Sequence, residues 1–123
     1  MSSERGGEPV YKLLAAAEWA AARAAGRYDG SAVDRRDGFV HFSTAGQLVE
    51  TAARHFTGQT SLVLLAVDPD RLGAALRWEP SRGGALFPHL YGPMPLAAVL
   101  DERPVPEDVP VADAVAALLD RPR

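Results

Sequence analysis

A chain of 123 residues fits one domain, and 47% apolar with 24% charged residues is the composition of a globular protein. The net charge of −3 lacks the basic excess of a dedicated nucleic-acid binder. The absence of cysteine removes disulfides, thiolate zinc sites and cysteine nucleophiles, and no apolar run approaches the roughly 20 residues that span a bilayer.

Residues 1–8 are polar, read as a flexible tail, and lack the basic start and apolar stretch of a secretory signal. Val10–Leu14 reads as a short strand. It runs into helix formers from Ala15 to Ala25, stopped by Gly26. Residues 26–37 carry Gly, Asp and Arg without an apolar period and read as a loop. Within it Asp34, Arg35, Arg36 and Asp37 are taken as solvated charges. Gly38–Ser43 is strand-like. Thr44 and Gln47 then match a capping box, opening a helix with Leu48, Val49, Ala52 and Phe56 near one face and Gly58 past its end. Ser61–Val67 is a continuous apolar run bounded by Asp68-Pro69-Asp70, the pattern of a buried central strand.

Beyond Leu72 the chain is proline-rich, and short strands are expected over 76–79, 86–92 and 96–100. Trp78 is expected in the core, and Pro88 predicts an edge strand or a bulge. Pro104, Pro106 and Pro110 make an extended connector to a short terminal helix, with Val111, Val115, Leu118 and Leu119 on one face. The expected organisation is a tail (1–8), one domain (9–103), and a connector with a helix packed on it (104–123). The order β-α-β-α followed by strands makes the domain α+β: a small sheet core with two N-terminal helices and a short C-terminal helix.

Period-two alternation is the most informative chemical feature. Phe39, His41 and Ser43 share one face of their strand, and Phe87, His89 and Tyr91 share one face of theirs. If the strands are neighbours, His41, Ser43, His89 and Tyr91 line one cleft. Imidazole, hydroxyl and phenol groups there can hold a polar ligand or move protons near neutral pH. The alternative is that both histidines are structural residues with satisfied hydrogen bonds. Glu79 is the best-placed carboxylate. Ser81-Arg82-Gly83-Gly84 reads either as an anion-binding loop around Arg82 or as a plain turn. The three histidines show no metal-ligand spacing, His55 fits a helix end, and Ser43 lacks a nucleophile-elbow pattern. All but one of the 13 basic residues are arginine, which reflects codon usage more than ligands.

Asp37-Gly38-Phe39-Val40-His41-Phe42-Ser43-Thr44, then Leu62-Val63-Leu64-Leu65, then Gly84-Ala85-Leu86-Phe87-Pro88-His89-Leu90-Tyr91-Gly92-Pro93 resemble the bacterial family catalogued as domain of unknown function 952. The resemblance spans residues 10 to 103 of the chain. It implies the ADP-ribosyltransferase-like fold, a split pair of small sheets that grips NAD in a cleft. The His41 strand is similar to one in RNA 2′-phosphotransferases of that fold. Carried over by motif, His41, His89 and Tyr91 would be catalytic. Tyr11, Lys12, Ser43 and Thr44 would contact a nucleotide or NAD-like ligand, with NAD as a substrate; Glu79 and Arg82, read from their place along the chain rather than from the motif, would join them, and no metal is expected. The implied chemistry is glycosyl, ADP-ribosyl or phosphoryl transfer. The chain departs from that pattern in offering Tyr11 and Lys12 where such transferases carry arginine or histidine. It also has no glutamate between Pro80 and Asp101. A non-catalytic ligand-binding or protein-interaction domain is the other reading. The expected setting is the cytoplasm, with a small-molecule partner, no nucleic acid and no membrane; the oligomeric state is not set.

Overall fold

The computed structural model describes residues 8–81 and 83–121, so most of the expected tail, and Arg82, lie outside the described residues. In chain order the elements are β1 (Val10–Ala15), α1 (Ala16–Ala25), β2 (Arg27–Tyr28), α2 (Ala32–Asp37), β3 (Val40–His41) and α3 (Ala45–His55). There follow β4 (Leu62–Val67), β5 (Leu76–Ser81), β6 (Ala85–Leu90), β7 (Met94–Pro95), β8 (Val99–Pro104) and α4 (Val111–Leu119). The strands form three antiparallel sheets, ordered β1-β4-β8, β3-β6-β5 and β2-β7. The architecture is mixed α+β.

β4 is the central strand its apolar run predicts, paired along its length with β1 and β8. Because side chains alternate, the sheet carries two different faces. On one, Leu13, Leu62 and Leu64 meet Leu48 and Ala52 of α3 and Val111, Ala114, Val115 and Leu118 of α4. On the other, Val10, Leu14, Leu65 and Val67 meet Trp19 of α1 and Val40, Phe42 and Leu90 of the second sheet. Lys12 lies between Val10 and Leu14 and shares their face; Tyr11 shares the helical face with Leu13.

The second sheet corrects the expectation for Pro88. β6 is flanked on both sides and neither of its pairings shifts register, so Pro88 lies in neither an edge strand nor a bulge. Continuing the β3–β6 register from Val40↔Leu90 and His41↔His89 brings Phe42 opposite Pro88. The Phe42 N–H donates to the Pro88 carbonyl at 3.0 Å, but Pro88 has no N–H to return the bond. The ladder therefore stops after two residues. The strand crosses to β1 instead, where Tyr11 and Ser43 exchange backbone bonds of 2.7 and 2.9 Å. Proline is tolerated here because its missing donor faces the point where β3 leaves.

Other expectations need correction. Three helices, not two, precede β4, because the segment read as a loop over 26–37 holds β2 and α2. α2 has only six residues and no apolar stripe, so periodicity could not reveal it; a Ser31–Asp34 capping box starts it and Gly38 ends it at φ +91°. Trp78 is 47% exposed rather than in the core. Its strand is an edge strand of its sheet, and every residue in Leu76–Ser81 is exposed or half-buried. Residues 96–98 form a 3₁₀ turn ahead of β8, and Val49 sits at the rim of α3 rather than in its buried face. The Gly26 stop, the Thr44–Gln47 capping box and the opening strand are all present.

Candidate functional site

The two alternating strands meet in the register that makes His41 the direct cross-strand partner of His89. Their rings lie 5.5 Å apart and nearly perpendicular. Phe39 packs among them, stacked on His89 at 4.1 Å and tilted against His41 at 4.6 Å and Tyr91 at 5.3 Å. On the far side of β6, Arg77 is the β5 partner of His89, and its guanidinium lies 4.9 Å from the centre of the Tyr91 ring. Two imidazoles and a phenol thus pack around the Phe39 ring, with the Arg77 guanidinium on the phenol.

Each histidine is held by a carboxylate. Asp34, only 2% exposed, places Oδ1 2.6 Å from His41 Nδ1 and also accepts from the His41 N–H at 3.1 Å. Its Oδ2 lies 2.8 Å from Lys12 Nζ and accepts from the Ser31 N–H at 2.9 Å. Lys12 in turn donates to the His41 carbonyl at 2.9 Å. Burial acts to raise the Asp34 carboxyl, but the His41 hydrogen bond, the Lys12 ammonium and the Ser31 amide overcome it. They hold the group well below the usual carboxylate range. Burial also pulls the Lys12 ammonium below its usual value, against the opposing pull of Asp34. The close fit begins at Gly30, which has φ +104° and whose substitution would put a Cβ 2.8 Å from that of Asp34.

His41 Nε2 faces a second carboxylate, Asp37 Oδ2, at 3.1 Å. A neutral ring can donate to only one of these two acceptors and an imidazolium to both. His89 differs. Its Nδ1 meets Glu79 Oε1 at 2.7 Å, and the residue is only 5% exposed beneath the Phe39 ring. The Tyr91 hydroxyl donates to the same Glu79 oxygen at 2.8 Å. Hydrogen bonds from His89 and Tyr91 hold the Glu79 carboxyl below its ordinary value, and the bond to Glu79 raises the Tyr91 phenol above its own. A carboxylate on Nδ1 fixes the tautomer in which Nε2 can accept a proton.

The structure brings Lys12, His41, Glu79, His89 and Tyr91 together and separates the remaining expected residues. Tyr11 faces the helical side of the first sheet. Ser43 is buried, with its hydroxyl 2.9 Å from that of Thr51. Thr44 caps α3, its N–H donating to Gln47 Oε1 at 3.0 Å. Arg82 lies outside the described residues. Sequence reasoning missed Asp34, which it placed among solvated charges; the Ser31-Ala32-Val33-Asp34 capping pattern is the signal that could have found the helix carrying it. Phe39 was placed on the correct strand face but not recognised as the centre of the cluster. Among the described residues no group of three or more His, Asp or Glu side chains converges as a metal site. No helix in them is long and apolar enough to cross a membrane.

The comparisons agree with this architecture and name no activity. The crystal structure of protein CC0527 from Caulobacter crescentus is 52% identical, with a TM-score of 0.81 over 88% of this chain and 98% of that one. The solution structure of CC0527 is 53% identical, with a TM-score of 0.73 over 82% of this chain and 87% of that one. A comparison with curated proteins gives no match. Residues 13–102 match the family model described as protein of unknown function (DUF952), and with most of its length inside that match the chain belongs to this family.

Proposed function

We propose that the His41–His89 face binds a nucleotide or NAD-like phosphorylated small molecule, and that His89 is its proton-transfer group. The observation that carries this reading is the cross-strand histidine pair at 5.5 Å, with His89 anchored through Nδ1 to Glu79. In a transfer reaction, His89 Nε2 would take the proton of an attacking hydroxyl as the new bond to the transferred glycosyl or phosphoryl group forms and the leaving group departs with its electrons. Phe39 and Tyr91 supply aromatic faces for a base, and Arg77 beside Tyr91 supplies a cation for a phosphate. His41, held between Asp34 and Asp37, positions rather than reacts. An ADP-ribosyltransferase-like fold belongs to the same proposal; it is supported by the way the 40–43 segment leaves β6 for β1, joining two small sheets.

A second reading, a binding domain without catalysis, is favoured by one specific feature. Both nitrogens of His41 are already engaged by carboxylates, which leaves a single histidine for chemistry.

Titration with NAD, NADP and ADP-ribose, followed by amide chemical shifts and melting temperature, tests the binding claim. Shifts should centre on Phe39, His89 and Tyr91. No response to any of the three ligands would sink the nucleotide reading. NAD turnover that disappears in His89→Ala and persists in His55→Ala would support catalysis; saturable binding with no turnover would select the second reading.

A further inference from the structure

The other face of the β1-β4-β8 sheet carries a cavity that the histidine cluster does not use. Cross-strand register sets three rows of side chains on this face: Ala15–Leu62–Val105, Leu13–Leu64–Arg103 and Tyr11–Ala66–Asp101. α3 and α4 cover the first two, burying Leu13, Leu62, Leu64 and Val105. α4 ends at Leu119, short of the third row, whose middle position is only an alanine. The result is a cavity of about 340 Å³ over Ala66, between Tyr11 and Asp101 and bounded by the end of α4. That volume falls at the lower end of small-molecule sites, which run about 300–1,000 Å³.

The walls are built rather than accidental. Arg103 bonds Asp101 Oδ2 through Nε at 2.6 Å and donates through Nη1 to the Leu118 carbonyl at 3.0 Å and the Arg121 carbonyl at 3.4 Å. A cation at a helix C-terminus is favourable, and here it ties the end of α4 to the sheet and sets the cavity height. Leu64, Ala66 and Leu118 make an apolar floor and side, while the Tyr11 ring closes one edge. Among the described lining residues two arginines, Arg103 and Arg121, stand with one carboxylate, Asp101, which is paired with Arg103, so Arg121 is the cation an anion would meet at the rim.

We propose that this cavity is a second binding site, for a small organic anion with an apolar body, such as an aromatic carboxylate or sulfonate. The body rests on Ala66 and Leu118, and the anionic group points to Arg121 at the rim. Tyr11, unsuited to the histidine site because it faces the wrong side, belongs to this one.

Anilinonaphthalene sulfonate, an aromatic anion, is a suitable probe for the folded full-length chain. The expected result is saturable fluorescence enhancement, with amide shifts centred on Ala66 and Leu118 rather than on His41 and His89. Ala66→Phe should abolish binding by filling the cavity. Arg121→Glu, at an exposed position, should weaken binding about tenfold or more without altering the melting temperature. The second variant decides the matter if the first does not fold. Absence of saturable binding, or shifts centred elsewhere, would overturn the proposal. Affinity indifferent to Arg121→Glu would overturn its anion assignment.

Discussion

Lys12 and Asp34 form an ion pair of 2.8 Å between side chains that are 8% and 2% exposed, and this pair joins β1 to α2 directly beside His41. Removing one member should leave the other charge buried and uncompensated. Asp34→Asn should therefore lower stability by about 3–5 kcal/mol, measured by urea denaturation. The paired change Lys12→Met with Asp34→Leu should cost less than Asp34→Asn alone, because no charge is left behind. Equal stability of Asp34→Asn and the natural protein would show that the pair does not hold the two segments together.

The same carboxylate sets a pH dependence. Asp34 and Glu79 both have folded values below their ordinary ones. At intermediate acid pH the unfolded chain then binds more protons than the folded one, so stability rises with pH there. Their contribution is complete above about pH 5 and is lost as pH falls through about 4 toward the folded values. Melting temperatures from pH 7 down to about 3 should fall in that window. The fall should be shallower in Asp34→Asn; an unchanged slope in the variant would assign acid unfolding to other groups.

Glu79 and Tyr91 make a separate test, because the hydrogen bond between them raises the Tyr91 phenol. Glu79→Gln removes the carboxylate charge and should move the Tyr91 titration back toward the ordinary tyrosine value. Ring chemical shifts followed into the alkaline range would report it. A titration that does not move would break the link drawn between Glu79 and the tyrosine.

Ser43 illustrates the difference between a residue on a cleft strand and a residue in a site. Its hydroxyl is buried against Thr51, which also donates to the Gln47 carbonyl at 3.1 Å. Ser43→Ala should cost about 1 kcal/mol of stability and leave nucleotide affinity unchanged. A selective loss of affinity with unchanged melting would return Ser43 to the ligand.

Tyr28 is 3% exposed, and its hydroxyl has no hydrogen-bond partner among the described residues. Burial drives its phenol far above the ordinary value, with the Asp34 and Glu18 charges adding to the effect. Tyr28→Phe removes the unsatisfied oxygen while keeping the ring, and should leave stability equal or higher by about 1 kcal/mol. A clear drop in melting temperature would show that the hydroxyl is satisfied after all.

The amino-acid sequence by itself determines the parts of this protein whose information is local. Period-two alternation puts Phe39 with His41 and His89 with Tyr91; an apolar run marks β4; Gly26 and the Thr44–Gln47 box bound two helices. Those signals depend only on neighbours along the chain. Which strand meets which, and in what register, depends on contacts between distant segments. Hence only the tertiary structure makes His41 the partner of His89, turns Lys12 toward the site and Tyr11 away from it, and leaves Trp78 exposed. Asp34 shows the reason most clearly. A charged residue in a short polar helix carries no sequence signature of burial; a lysine from β1 and a histidine from β3 make that burial tolerable, and folding alone brings them to it.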